Sequence, residues 1–214
     1  MIDLHTHTLF SDGVLLVSEL VRRAENIGYE AIAVTDHADM SNIDFISPRI
    51  ARACRILNKR WKIKAIPGVE ITHVPIEEIP GLVRFARKNG ALIVVGHGET
   101  VTEPVLQGTN REFIRAGVDI LAHPGRISRE DARLAGERGV YLEITARRGH
   151  SRTNTHVLRM ARKYGAMLVL NTDTHSPDDF LTDRMRDHLL RSLGMSESER
   201  RKTIANSVKI INAL

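Results

Sequence analysis

Seven short apolar runs, each followed by a longer amphipathic segment, constrain this chain of 214 residues more than any other feature. The runs are Ile2–Leu4, Ala31–Thr35, Lys64–Val69, Ala91–Val95, Asp119–Ala122, Val140–Ile144 and Ala166–Leu170. Between them apolar residues recur at helical spacing over Val17–Ile27, Ser47–Arg60, Glu77–Lys88, Thr109–Ala116, Arg129–Arg138 and Asn154–Tyr164. Pro48 occupies a first-turn position of the second of these, where its missing N–H does no harm. Gly28, Gly90, Gly117, Gly139 and Gly165 stand just past helical segments, as stop signals do. Two more helices, near Asp178–Leu193 and Ser196–Ala213, finish the chain. Strands and helices alternating every roughly 25–35 residues form parallel βα units. No linker or low-complexity tract interrupts them, so one domain over residues 1–214 is expected. Seven units predict an α/β barrel of the TIM-barrel kind, with an open doubly wound sheet as the alternative.

Every predicted strand delivers His, Asp or Glu at its carboxyl end. The first runs into His5-Thr6-His7, followed by the turn Ser11-Asp12-Gly13. In an extended segment residues i and i+2 share a face, so His5 and His7 project together. The later strands run into Asp36-His37, Glu70, His97, His123, Glu143 and Asp173-Thr174-His175. In parallel barrels the loops at this end build the active site. A ring of imidazoles and carboxylates is expensive to bury unpaired, and metal ions are the simplest way to satisfy it.

Composition narrows the function classes. Aromatic residues make up only 4% of the chain, too few for platforms that stack single-stranded bases. The net charge of +5 and the pI near 9.6 are compatible with an anionic substrate, a phosphate ester or a nucleic acid. Cys54 is the single cysteine and lies in a helical pattern without a neighbouring histidine, which excludes an intrachain disulfide and assigns it to packing. No run approaches membrane-spanning length, and no signal peptide precedes the first strand; a cytoplasmic location is expected.

Taken together, His5-Thr6-His7 with Ser11-Asp12-Gly13, Thr35-Asp36-His37, Gly68-Val69-Glu70, His97, Ala122-His123-Pro124 and Asp173-Thr174-His175 resemble the PHP (polymerase and histidinol phosphatase) domain family. The resemblance runs over essentially the whole chain, in order and spacing. It implies a distorted (β/α)7 barrel holding three divalent ions of zinc, manganese or iron. By that resemblance one metal takes His5, His7, Glu70 and Asp173; a second shares Glu70 and adds His97 and His123; the third takes Asp12, His37 and His175. The family's activity implies a metal-dependent phosphoesterase that uses a metal-bound hydroxide, with Asp12, Glu70 and His175 in catalytic roles. A small phosphorylated substrate is the expected partner, of the histidinol-phosphate or nucleotide type. A nucleic-acid phosphodiesterase or exonuclease is the alternative, as is a non-catalytic RNA-binding barrel like the related ribonuclease P subunit. The complete ligand set speaks against that last reading.

Further residues near the rim are candidates of lesser weight. Arg147, Arg148 and His150 follow the sixth strand and are candidate substrate-phosphate contacts, since guanidinium suits bidentate phosphate binding. Arg126 is another. Asp36 either orients a ligand imidazole or caps a strand end, and Glu143 and Glu99 are expected to support ligands rather than bind metal.

Overall fold

Inward-facing and outward-facing residues alternate along each strand, and the two sets form two separate cores. The computed structural model describes residues 1–214. Its strands are β1 (Ile2–Asp3), β2 (Ala31–Val34), β3 (His37–Ala38), β4 (Lys64–Ile71), β5 (Ile93–His97), β6 (Ile120–Ala122), β7 (Tyr141–Thr145) and β8 (Leu168–Asn171). All pairings are parallel, in the order β1-β2-β4-β5-β6-β7-β8. The short β3 continues β2 in the same register, because Val34 stands opposite Pro67 and His37 opposite Glu70. Seven positions therefore go round the barrel, as the repeat predicts.

The helices are α1 (Val17–Asn26), α2 (Ile43–Leu57), α3 (Ile79–Lys88), α4 (Thr109–Ala116), α5 (Arg129–Arg138), α6 (Asn154–Tyr164), α7 (Asp183–Ser192) and α8 (Glu197–Asn212). Their apolar faces and the outer faces of the strands form one core of 42 buried residues, among them Val69, Val94, Leu121, Leu142 and Leu170. The interior holds the other set: Leu4, Ala31, Ala33, Ile66, Ile93, Val95, Ile120, Ala122 and Val169. Ile210 of α8 joins this inner cluster, with Ile211 packed against it. Asn206 Nδ2 donates to Leu168 O and Lys64 Nζ to Ile211 O, both at strand beginnings. So α8 closes the amino end of the barrel.

The barrel is nearly closed. Between the first and last strands the only bridge is Thr6 with Thr174. Hydrogen bonds from Leu4 N to Asn171 Oδ1, Asp173 N to His5 O and His7 N to Thr174 O complete this seam. Asp3 sits buried in it and accepts from His5 N and from Thr172. Burial pushes its carboxyl up to about 6.

Several expected boundaries move. α2 begins at Ile43, so Pro48 lies inside the helix rather than in its first turn. Ile43, Ile46, Ile50 and Cys54 form a buried stripe at helical spacing, and the packing of Ile43 and Ile46 holds the early turns in place. α7 starts at Asp183, capped by Thr182, after a separate 3-10 turn at Pro177–Asp179. Cys54 is buried, and desolvation pushes its thiol up to about 12, as a packing residue requires. No helix is long and apolar enough to cross a membrane.

Candidate metal centre

The inward columns of the barrel change character in their last step. Ile66 and Gly68 lead to Glu70, Ile93 and Val95 to His97, Tyr141 to Glu143, and Val169 to Asn171. The period of two that buries apolar groups low in the barrel thus points ionisable groups inward at its carboxyl rim. His123 follows the inward Ala122, so a regular strand would send it outward. Its backbone turns left-handed instead (φ 27°), as does that of Asp173 (φ 56°), and both side chains join the interior group.

The first histidine pair lies just past β1. Thr6 donates Oγ1–H to Ala33 O and accepts nothing from the pair, while His5 and His7 flank it with ring centroids 5.0 Å apart. Asp12 is brought in by a folded loop. Ser11 N and Gly13 N donate to Thr8 O. Asp36 accepts from Thr8 N (2.6 Å), Thr8 Oγ1 and Ser11 Oγ (each 2.8 Å). It therefore anchors the loop that carries Asp12, and neither orients an imidazole nor caps a strand. Gly13 packs on His7, where an added Cβ would stand 2.5 Å from the His7 carbonyl oxygen.

Glu70 stands at the middle. Its carboxylate lies 3.3 Å from His5 Nε2, 3.6 Å from His7 Nε2, 2.8 Å from His37 Nδ1 and 3.5 Å from His123 Nε2. Asp173 lies 3.1 Å from His7 Nε2 and 3.7 Å from His5 Nε2. Asp12, half exposed, lies 3.1 Å from His175 Nε2 and 3.6 Å from His37 Nε2. Potential ligand atoms fall into overlapping groups: His5, His7 and Glu70; His5, His123 and Asp173; Glu70, His97 and His123; His7, Asp12, His37 and His175; and His73, His97 and Glu103. All nine residues expected to bind metal lie in these groups.

Burial alone would raise the Glu70 carboxyl, but the imidazoles of His5, His37 and His97 outweigh it and hold it well below the usual carboxylate range. Burial would likewise raise Asp173, and His5 and His7 hold it well below. His7 is pushed down to about 3 by burial and by neighbouring His37, so its ring is neutral at neutral pH. Burial would lower His5 and His37 as well, but Glu70 and its neighbours raise His5 well above its ordinary value and His37 to about 9, and cation binding releases such protons.

Hydrogen-bond chemistry tests whether divalent ions fit. His5 Nδ1 faces Glu143 Oε1 at 2.8 Å, and an ionised carboxylate only accepts, so Nδ1 carries the proton. Glu70, Glu143 and Asp173 raise the ring well above its ordinary value against burial, and once a cation takes the place of the Nε2 proton, that nitrogen and the carboxylate oxygens of Glu70 and Asp173 all offer it lone pairs. His175 repeats the pattern: Nδ1 donates to Asp173 O at 2.8 Å, leaving Nε2 toward Asp12. His5 Nε2, both nitrogens of His7, both oxygens of Glu70, His123 Nδ1 and Asp173 Oδ1 are buried without any hydrogen-bond partner. Such orphans are rare because each carries a full desolvation penalty. The separations of 3.1–3.7 Å among His5, His7, Glu70 and Asp173 match the roughly 3.4 Å between ligand atoms placed about 2.1 Å from a tetrahedral ion. The donor set fits divalent cations.

Glu143 supports this group without joining it, as expected. It accepts from His5 Nδ1, His123 N and Asn171 Nδ2. Glu99 does not; its carboxylate accepts from Gly108 N and Asn110 N and holds a loop together. Arg147 pairs with Asp179 Oδ2 at 3.3 Å, and that same carboxylate accepts from His175 N and Ser176 N. Its guanidinium thus braces the segment that carries His175. Arg148 and Arg126 are exposed on neighbouring loops. His150 is buried, stacks on His123 at 4.3 Å and reaches the site from the side. One participant had no signal in the sequence. Glu103 lies 3.0 Å from both His97 Nε2 and His73 Nε2, and an open cleft lined by Asp12, His37, Asp39, Asn42, His73 and Glu103 leads to the centre.

Comparison with known proteins agrees with this geometry. A family model described as the PHP domain matches residues 3–175. An uncharacterised protein of Methanocaldococcus jannaschii is 45% identical over 209 residues, covering 97% of this chain and 96% of its own length. A probable phosphatase of Clostridium botulinum is 23% identical over 218 residues, 92% of this chain and 88% of that one. The solved structure of histidinol phosphate phosphatase from Lactococcus lactis, complexed with zinc, L-histidinol and phosphate, shares the fold. Its TM-score is 0.65 at 19% identity, over 95% of this chain and 94% of that one. With a family model matching most of its length, this chain belongs to the PHP domain family.

Proposed function

We propose that the protein is a metal-dependent phosphoester hydrolase with three divalent ions, acting on a small phosphate monoester. The observation that carries this reading is the set of buried, unpartnered nitrogen and oxygen atoms of His5, His7, Glu70, His123 and Asp173 at the end of an open cleft. Bound divalent ions supply Lewis acidity and lower the pKa of water at the site. The chain's own part is to fix charge and position. Glu70 lies in contact with four imidazoles and sets the spacing of the centre. Asp12 and His175 form its solvent-facing edge, and Asp12 is the ligand residue most accessible to substrate. Phosphoryl transfer is governed mainly by positioning and neutralisation of charge, so a preorganised cationic pocket suffices. Arg148, exposed beside the rim, is available to a substrate phosphate, while Arg147 acts through its pair with Asp179. An RNA-binding barrel without catalysis has no use for these buried orphans.

Elemental analysis of protein prepared without chelator, with turnover of p-nitrophenyl phosphate and bis-p-nitrophenyl phosphate on the same sample, tests the reading. About three ions per chain and preference for the monoester are expected. Preference for the diester moves the substrate to nucleic acid. No ion and no turnover after adding manganese or zinc overturns the enzyme.

A further inference from the structure

The loop between β5 and α4 carries a carboxylate, Glu103, that three imidazoles approach at the mouth of the barrel. Glu103 Oε2 lies 3.0 Å from both His97 Nε2 and His73 Nε2, and Glu103 Oε1 lies 3.3 Å from His150 Nε2. The loop under it is tied to its neighbours. Glu99 N donates to Asn110 Oδ1, and Asn110 Nδ2 donates to Pro124 O. Gly125, at φ 60°, lets the two loops touch; a Cβ there would stand 1.7 Å from Glu99 O. His150 Nδ1 lies 2.6 Å from Thr100 Oγ1 and 3.0 Å from Thr102 Oγ1 of the same loop.

An ionised carboxylate only accepts hydrogen bonds, so His73 Nε2, bonded to Glu103, carries a proton, and the 3.0 Å approach of His97 Nε2 to the same oxygen fits a protonated Nε2 there too. For His97 this assignment has a consequence. With Nε2 protonated, the neutral ring holds its lone pair on Nδ1, and His97 Nδ1 is buried with no hydrogen-bond partner. It is the nitrogen left for the group formed with Glu70 and His123. His5 and His175 are held the other way round, with Nδ1 donating and Nε2 left for the ion.

We propose that Glu103 is a positioning residue of the metal centre: by accepting from Nε2 it holds His97 in the tautomer and orientation that offer Nδ1 to a divalent ion. The inference rests on the metal-centre reading above and adds to it a residue that no motif contains. Through His150, which stacks on His123, the same carboxylate steadies a second member of that group. A hydrogen-bonded partner on the far nitrogen orients a metal-binding imidazole and raises its basicity, and losing such a partner weakens metal binding by roughly 10- to 100-fold.

The test compares wild-type protein, Glu103→Ala and Glu103→Gln by zinc titration in buffered metal. Melting of the metal-free proteins serves as the control for folding. Glu103→Ala is expected to weaken one ion by roughly 10- to 100-fold while the others stay at wild-type affinity. Glu103→Gln keeps an oxygen that accepts from His97 and is expected to stay within a few-fold of wild type. Wild-type affinity in Glu103→Ala overturns the proposal. Equal losses in both variants also overturn it, since an amide is a poor ligand but a sound acceptor, and Glu103 would then bind metal directly. The wild-type protein carries a second readout independent of any variant: imidazole nitrogen-15 spectra of the zinc-loaded protein should show His97 protonated on Nε2 and His5 on Nδ1. The opposite tautomer at His97 rejects the idea. Zinc uptake by wild type separates the two levels of the argument, because a protein that takes up none fails the metal centre itself.

Discussion

The two ends of the barrel are made by the same strands and obey opposite rules. At the amino end the inward positions are Leu4, Ala31, Ile66, Ile93, Ile120 and Val169, and Ile210 of α8 closes them off from water. At the carboxyl end the same columns arrive at Glu70, His97 and Glu143, joined by His5, His7, His123 and Asp173. Both ends are buried; Glu70 and Ile93 are each 0% exposed. The lower layers gain from burial because apolar surface leaves water, at about 25 cal/mol per Å². The upper layer gains nothing in that way, and its groups are of the types that hold cations. Stability and function are thus separated by one step along a strand, about 6–7 Å.

Variants at the two ends should therefore fail differently. The largest effect is expected for Glu70→Gln, whose carboxylate contacts four imidazoles. Turnover should fall by roughly 10³-fold, about 4 kcal/mol of lost transition-state stabilisation. Bound metal should fall with it, while the metal-free protein stays folded in a thermal melt. A variant that keeps its full metal content would break the comparison. At the other end Ile93→Ala should lower unfolding free energy by about 3 kcal/mol in urea, with metal content per folded chain unchanged. Loss of metal before loss of fold would mean that the layers are not independent. Glu143→Ala sits between the two cases. It leaves His5 without its carboxylate partner, and metal affinity should drop by roughly 10- to 100-fold with little change in the apo melt.

The smallest effect concerns the helix that closes the base. Glu199, in the first turn of α8, pairs with Arg162 of α6 and accepts from Ser196 N. The Arg162 guanidinium and the Ser196 amide bring its carboxyl down to about 2. A carboxyl lowered on folding stabilises the protein above its ordinary value, and the benefit fades as pH falls from about 4.5 toward 2. Because the pair is partly exposed, Glu199→Gln should remove less than about 1 kcal/mol at pH 7, and the difference from wild type should vanish near pH 2. Unfolding curves across that range check it.

Much of the centre was legible because it uses local rules. The count of βα units came from two periodicities, and the side of the barrel came from the end at which His, Asp and Glu collect. The departures have a common cause. His123 lies inward through a left-handed residue that no pattern predicts. Asp36, adjacent to a ligand in sequence, serves the Thr8–Ser11 turn because that turn folds back over it. Arg147 looked free and is held by Asp179, 32 residues away. Pro48 looked like a helix start, but buried Ile43 and Ile46 carry the helix further back.

What the amino-acid order by itself determined was the repeat, the barrel and the residue types gathered at one rim, since strand and helix periods act between near neighbours. What the tertiary structure decided was which nitrogen each histidine offers, and to what. Those choices depend on single carboxylates brought from elsewhere in the chain, Glu143 of β7 for His5 and Glu103 of the loop after β5 for His97. The direction of a hydrogen bond between residues far apart in the chain exists only once the barrel has closed.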